Sequence, residues 1–247
     1  MTLEEAIQLA NSGDTEAMFQ LGQYYWGQEK NYQEAQKWYL TGADAGDVRC
    51  MSLAALSGNI LAHAKRKVAG SHAAAECARE LETCLSWAVQ AQANGGQCDA
   101  SGIKTELGVC SYLASLNEEN PERSAAYLRR AEELLKTTHP AKDLEARLYL
   151  SFALHDKSRQ QNGLSDQDAQ LLFALLEDIC VNHRTELGNA DVACYYLGLA
   201  YLLGQGCSKD DNKAYQWMST AQQMGFDCQE VLKGFKKKLM GGYVYKG

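Results

Sequence analysis

The stretch GDTEAMFQLGQYYWGQEKNYQEAQKWYLTGADAG, residues 13–46, decides the fold once it is laid beside ADVACYYLGLAYLLGQGCSKDDNKAYQWMSTAQQMG, residues 190–225. Ala17, Leu21 and Gly22 recur at the spacing of Ala193, Leu197 and Gly198. Tyr25 and Gly27 answer to Tyr201 and Gly204, with one residue's difference in the turn. Ala35 and Trp38 match Ala214 and Trp217, and each tryptophan is followed eight residues later by a glycine, Gly46 or Gly225. Trp87 and Gly95 repeat that ending. Self-similarity at such a period is the signature of stacked helical hairpins. Small Ala and Gly let two helices approach, Leu, Tyr and Trp fill the layer between units, and the closing glycine permits a left-handed stop.

Within the first copy, Tyr24, Tyr25 and Trp26 are adjacent, and on a helix they cannot share one face. With Leu21 at 0°, Ala17, Met18, Tyr24 and Tyr25 fall within about 60° of it, while Phe19 and Trp26 lie near 150°. Tyr195, Leu199 and Leu202 repeat the second stripe in the later copy. A helix that is apolar on two sides suits a stack in which it packs on its own partner and on the next unit. Trp26 is therefore read as interior or between repeats.

These residues resemble the Sel1-like repeat, a helix-turn-helix unit related to the tetratricopeptide repeat, whose pattern runs A-x3-L-G-x2-Y-x2-G-x-G and then K-A-x2-W-x3-A-x3-G. Residues 190–225 fit it closely, including Gly204, Gly206 and Lys213-Ala214; residues 13–46 fit with a shortened turn. Leu107-Gly108, Ala125, Tyr127 and Ala131 look like a worn third unit, and Leu148–Leu154 with Ala169–Leu176 like a fourth. The resemblance implies an all-α, right-handed superhelical solenoid spanning 1–247 as one domain. It would hold a cap helix at 2–11, about five hairpins at 13–46, 47–95, 97–138, 141–185 and 189–225, and a cap helix at 227–239. Residues 57–72 lengthen the second hairpin or form an ordered loop. Residues 157–166 read as a mobile polar connection, and the tail GGYVYKG as frayed.

The totals set limits. The chain has 247 residues, 46% of them hydrophobic and 22% charged, which excludes wholesale disorder. A net charge of −7 argues against nucleic-acid binding. The basic triplets Lys65-Arg66-Lys67 and Lys236-Lys237-Lys238 read as solvated helix ends. No run of 18 apolar residues occurs, so no membrane insertion is expected, and the acidic N-terminus points to a cytoplasmic protein. Nine cysteines without a CxxC or a Cys–His cluster read as reduced, buried residues, with no metal. The secreted, cysteine-rich branch of the family pairs cysteines in each unit, which this chain does not.

No catalytic motif appears: no GxSxG, P-loop, dinucleotide-binding glycines or HExxH. His63, His72, His139, His155 and His183 are scattered and read as surface or helix-end residues. Asp166 and Asp168 read as a helix start, Glu132 and Glu133 as a charged surface, and Asp210 and Asp211 as the cap of a second helix. No enzyme activity and no cofactor are expected. The resemblance implies a monomeric module that binds another protein along the groove lined by its first helices. Gln20, Gln23, Tyr24 and Tyr196 lie between the apolar stripes and are the candidate contacts, tyrosine offering large area at small entropy cost. The partner is an adaptor target or, alternatively, a bacterial toxin or effector that an immunity protein occludes. A chaperone-like or small-ligand binder is the third reading.

Overall fold

The structure is a computed structural model that describes residues 1–138, 143–239 and 241–247. His139, Pro140 and the first two residues of the 141–185 hairpin lie outside the described residues. Twelve α-helices are described: α1 (Leu3–Asn11), α2 (Thr15–Gly27), α3 (Tyr32–Asp44), α4 (Val48–Ala69), α5 (Ala74–Ala93), α6 (Ser101–Asn117), α7 (Pro121–Thr137), α8 (Leu144–Gln161), α9 (Asp166–Asp178), α10 (Ala190–Leu203), α11 (Asp211–Met224) and α12 (Gln229–Lys233). This is an all-α repeat protein, with one short β-hairpin at its C-terminal end. Its contacts fall into two compact units, Met1–Arg130 and Ala131–Gly247. No described helix is long and apolar enough to cross a membrane.

In the first unit, α1 starts with a reciprocal capping box between Thr2 and Glu5. It packs Ala6 and Ala10 on Ala17, Met18 and Leu21 of α2, with Tyr25 and Trp38 against the same cluster. Gly22 lets the helices of the first hairpin meet, because a methyl group there would penetrate the Tyr39 ring. Gly46, at φ +92°, turns the chain out of α3. Trp26 is half-buried and meets Tyr32 edge-on at 4.8 Å, so it seals its own hairpin. Residues 57–72 lengthen a helix: α4 runs to Ala69 and a 3₁₀ turn at Gly70–Ala73 leads into α5.

That lengthening corrects the reading of Lys65-Arg66-Lys67 as a solvated end. Arg66 is 5% exposed and its guanidinium pairs with the equally buried Glu106 of α6. The His63 ring nitrogen lies 2.8 Å from the same carboxylate. Burial alone would raise the Glu106 carboxyl, but the bonds from Arg66 and His63 outweigh it and hold the group below its ordinary value.

In the second unit, α8 is buried almost continuously from Ala146 to His155. It continues to Gln161, so the first half of the expected mobile stretch, 157–161, is helix. Lys157 is held there by Glu132 at 2.8 Å and Asp168 at 2.9 Å, and Lys136 joins the same two carboxylates. Glu132 therefore belongs to an ion-pair network rather than to an open charged surface. Ser165, ahead of Asp166 and Asp168, caps α9 through its hydroxyl. Asp210 caps α11, accepting from the backbone N–H of Asn212 and Lys213.

The expected cap helix at 227–239 is only five residues long. After Lys233 the chain becomes a strand, β1 (Phe235–Lys237), paired antiparallel with β2 (Tyr243–Tyr245). Thus Lys236-Lys237-Lys238 is no helix end, and the tail is paired rather than frayed. Tyr, Val and Tyr at 243–245 favour a strand, and Gly241 and Gly242 supply the positive φ values of its turn. Asp211 and Asn212 accept from the Tyr245 and Tyr243 amides, and Tyr243 stacks on Tyr215 at 3.6 Å.

Candidate functional site

The first helices of the first unit present a polar and apolar strip. Arg49 of α4 reaches Glu16 of α2 at 2.8 Å and lies over the Phe19 ring at 4.3 Å, which sets the two helices side by side. From that clamp the helical period carries Gln20 and Gln23 along α2, and Leu53, Leu56 and Ile60 along α4. Gln20 and Gln23 are exposed, and Gln20 bonds Glu16 at 2.9 Å. Leu56 is 37% and Ile60 53% exposed. Tyr24 is half-buried; its hydroxyl donates to Glu29 at 2.6 Å, and that bond holds its pKa above the ordinary tyrosine value.

Tyr196 belongs to the second unit and has a different setting. Its ring stacks on His155 at 3.7 Å and meets Phe152 edge-on at 5.7 Å. Burial pushes its hydroxyl up to about 12. His155 is 9% exposed, which corrects its reading as a surface residue, and burial brings its pKa down to about 4. The structure therefore places Gln20, Gln23 and Tyr24 on one helix and Tyr196 in an aromatic stack of the other unit.

Leu56 and Ile60 are the residues that reading from the sequence missed. Their signal was the spacing Arg49, Leu53, Leu56, Ile60, which becomes legible once 57–72 is known to continue a helix.

Eight of the nine cysteines are buried, and Cys207 is half-buried. Burial pushes the Cys50 thiol up to about 12 and that of Cys84 to about 11, so neither is a ready nucleophile. Among the described residues no group of three His, Cys, Asp or Glu is placed to hold a metal ion.

The Sel1 repeat model matches residues 15–47 and 191–226, the α2–α3 and α10–α11 hairpins with their closing turns. Two hairpins of the chain are thus similar to the Sel1 repeat. Sel1 repeats generally mediate protein–protein interaction, and their fold is typically a non-catalytic scaffold. No curated protein matches the chain. Among solved structures it is similar to a protective antigen of uropathogenic Escherichia coli with an SLR fold, at 19% identity and a TM-score of 0.36, over 94% of this chain and 50% of that one. It is also similar to a Sel1 repeat protein from Oxalobacter formigenes, at 16% identity and a TM-score of 0.37, over 94% of this chain and 68% of that one. The chain thus spans half the length of the first of these and about two thirds of the second.

Proposed function

We propose that this protein is a non-catalytic adaptor that binds a partner protein through the α2–α4 strip of its first unit. The observation that carries this reading is the exposure of Leu56 and Ile60 beside Gln20 and Gln23, on helices otherwise packed on both flanks. Covering each of the two apolar side chains contributes roughly 1 kcal/mol. The glutamines supply donors and acceptors at the edge, and Tyr24 adds an amphipathic ring whose hydroxyl is already oriented by Glu29. Tyr196 gives a ring face to His155, so we assign it to packing.

The test is capture of partners from native cells by the tagged full-length protein, beside a Tyr24→Ala/Ile60→Asp variant with an unchanged melting temperature. Several substoichiometric partners lost in the variant support an adaptor. One stoichiometric partner lost in the variant supports binding through this strip but turns the reading toward an occluding inhibitor. Partners retained in full by the variant would place the binding surface elsewhere.

A further inference from the structure

The second hairpin is much longer than the first. At about 1.5 Å per residue, α3 measures roughly 20 Å and α4 roughly 33 Å. The bond from Gln36 Nε2 to the Ala54 carbonyl, at 3.1 Å, fixes how the antiparallel pair aligns. In that alignment α3 begins opposite the middle of α4, and α4 beyond Leu61 overhangs it with the facing part of α5. On the other flank α6 follows the hairpin to its tip, where Asn117 Nδ2 donates to the Ser71 carbonyl at 3.1 Å. One side of the overhang is covered and the other is open.

The open side forms a half-open cavity of about 710 Å³ between α3, α4 and α5. Leu40, Leu61, Val68 and Trp87 form its apolar walls. Val68 is 90% exposed, more than a valine on a covered helix face would be. Gln36 stands in the wall as a fixed polar group, its amide oxygen accepting from Ser57 Oγ while the nitrogen bonds Ala54. At one end Lys65 meets Glu80 at 3.0 Å and Glu76 at 2.7 Å. Among the described lining residues the charged side chains are Lys65 and Glu80, and they pair with each other.

We propose that this cavity binds a neutral, ring-containing amphipathic small molecule, with its rings against Trp87 and its polar end toward Gln36 and the Lys65–Glu80 pair. The volume lies within the range of about 300–1,000 Å³ usual for small-molecule sites, and apolar walls with a few placed polar groups are their usual lining. An anionic head would meet Glu80 and Glu76, and Lys65 is already committed to both. The site shares no residue with the α2–α4 strip, so this proposal stands apart from the adaptor reading.

The probe is N-phenyl-1-naphthylamine, a neutral fluorescent amphipath, titrated into the full-length protein with excitation of tryptophan. Saturable binding at one site per chain, with energy transfer, is the expected result. Ala64→Trp fills the cavity from an exposed position, and Val68→Trp does so independently should the first variant lose its helical circular dichroism. Either is expected to weaken binding at least about tenfold, and the anionic analogue 1-anilinonaphthalene-8-sulfonate to bind about tenfold more weakly than the neutral dye, each being roughly 1.4 kcal/mol. Unsaturable binding, retention in a folded filling variant, or tighter binding of the anion would overturn the proposal. So would loss of binding in an Ile60→Asp variant, which would put the dye on the α2–α4 strip.

Discussion

The two hairpins that match the Sel1 repeat place the same lock between their helices and diverge two residues before it. Gly22 admits Tyr39, and Gly198 admits Met218, where a methyl group would come within 2.6 Å of Cγ. The preceding residues, Gln20 and Tyr196, hold equivalent positions in the motif, each one before the Leu-Gly pair. Gln20 is exposed and bonds its own helix. Tyr196 is half-buried against Phe152 and His155 of α8. The difference lies in what comes before each repeat. The nine residues of α1 cover Ala17, Met18 and Leu21 and leave Gln20 in solvent, whereas the eighteen residues of α8 supply a full helix against α10. The same repeat position thus faces solvent in one unit and packs against a neighbouring helix in the other.

This contrast would break most visibly under truncation. Tyr196→Ala is expected to cost about 3 kcal/mol, near the low end for a buried aromatic, whereas Gln20→Ala stays below about 0.5 kcal/mol. Urea denaturation of both variants checks this, and equal losses would dissolve the distinction.

A second measurement sharpens the comparison through pH. Burial, and secondarily Arg159, lower the folded pKa of His155 to about 4 from an unfolded value near 6.5. A depressed histidine binds its proton more readily when unfolded, so its contribution is complete above pH 6.5 and is lost as pH falls toward 4. The loss is expected to be about 2–3 kcal/mol between pH 7 and pH 4. His155→Phe should remove that part of the pH dependence while carboxylates elsewhere keep theirs. Parallel stability profiles for the variant and the parent would show that the stack does not depend on a neutral ring.

The smallest effect concerns the caps of the two second helices. Asp210 accepts from two backbone amides, of Asn212 at 2.9 Å and Lys213 at 3.0 Å; Asn31 accepts from one, of Glu34, at 3.1 Å. Asp210→Ala is expected to cost about 1–2 kcal/mol and Asn31→Ala about 1 kcal/mol. Thermal melts of the single variants, read as differences in stability, check this, and equal losses would show that the number of capped amides is immaterial.

The hairpins at both ends were legible because their glycines and tryptophans answer local demands: close approach, a left-handed stop and a wide ring between layers. The same local logic misread the centre and the tail. Three basic residues in a row look solvated until Glu106, forty residues away from Arg66, neutralises one of them in the core. The polar run after Lys157 looks like a loop until Glu132 and Asp168 hold its first residue in a helix. The tail looks frayed until Asp211 and Asn212 accept its amides. Of the candidate contacts, Gln20 and Gln23 could be placed from the helical period, but Leu56 and Ile60 could not until the length of α4 was known.

By itself, then, the sequence determined the repeat, its all-α character and the small-residue contact inside each Sel1 hairpin, because these depend on spacing within about forty residues. Only the tertiary structure decided which face of each first helix stays in water, where the long hairpin outruns its neighbour, and which charges are buried. Those outcomes depend on the length and side chains of the element packed alongside, and pairing across 25 to 40 residues leaves no period in the chain.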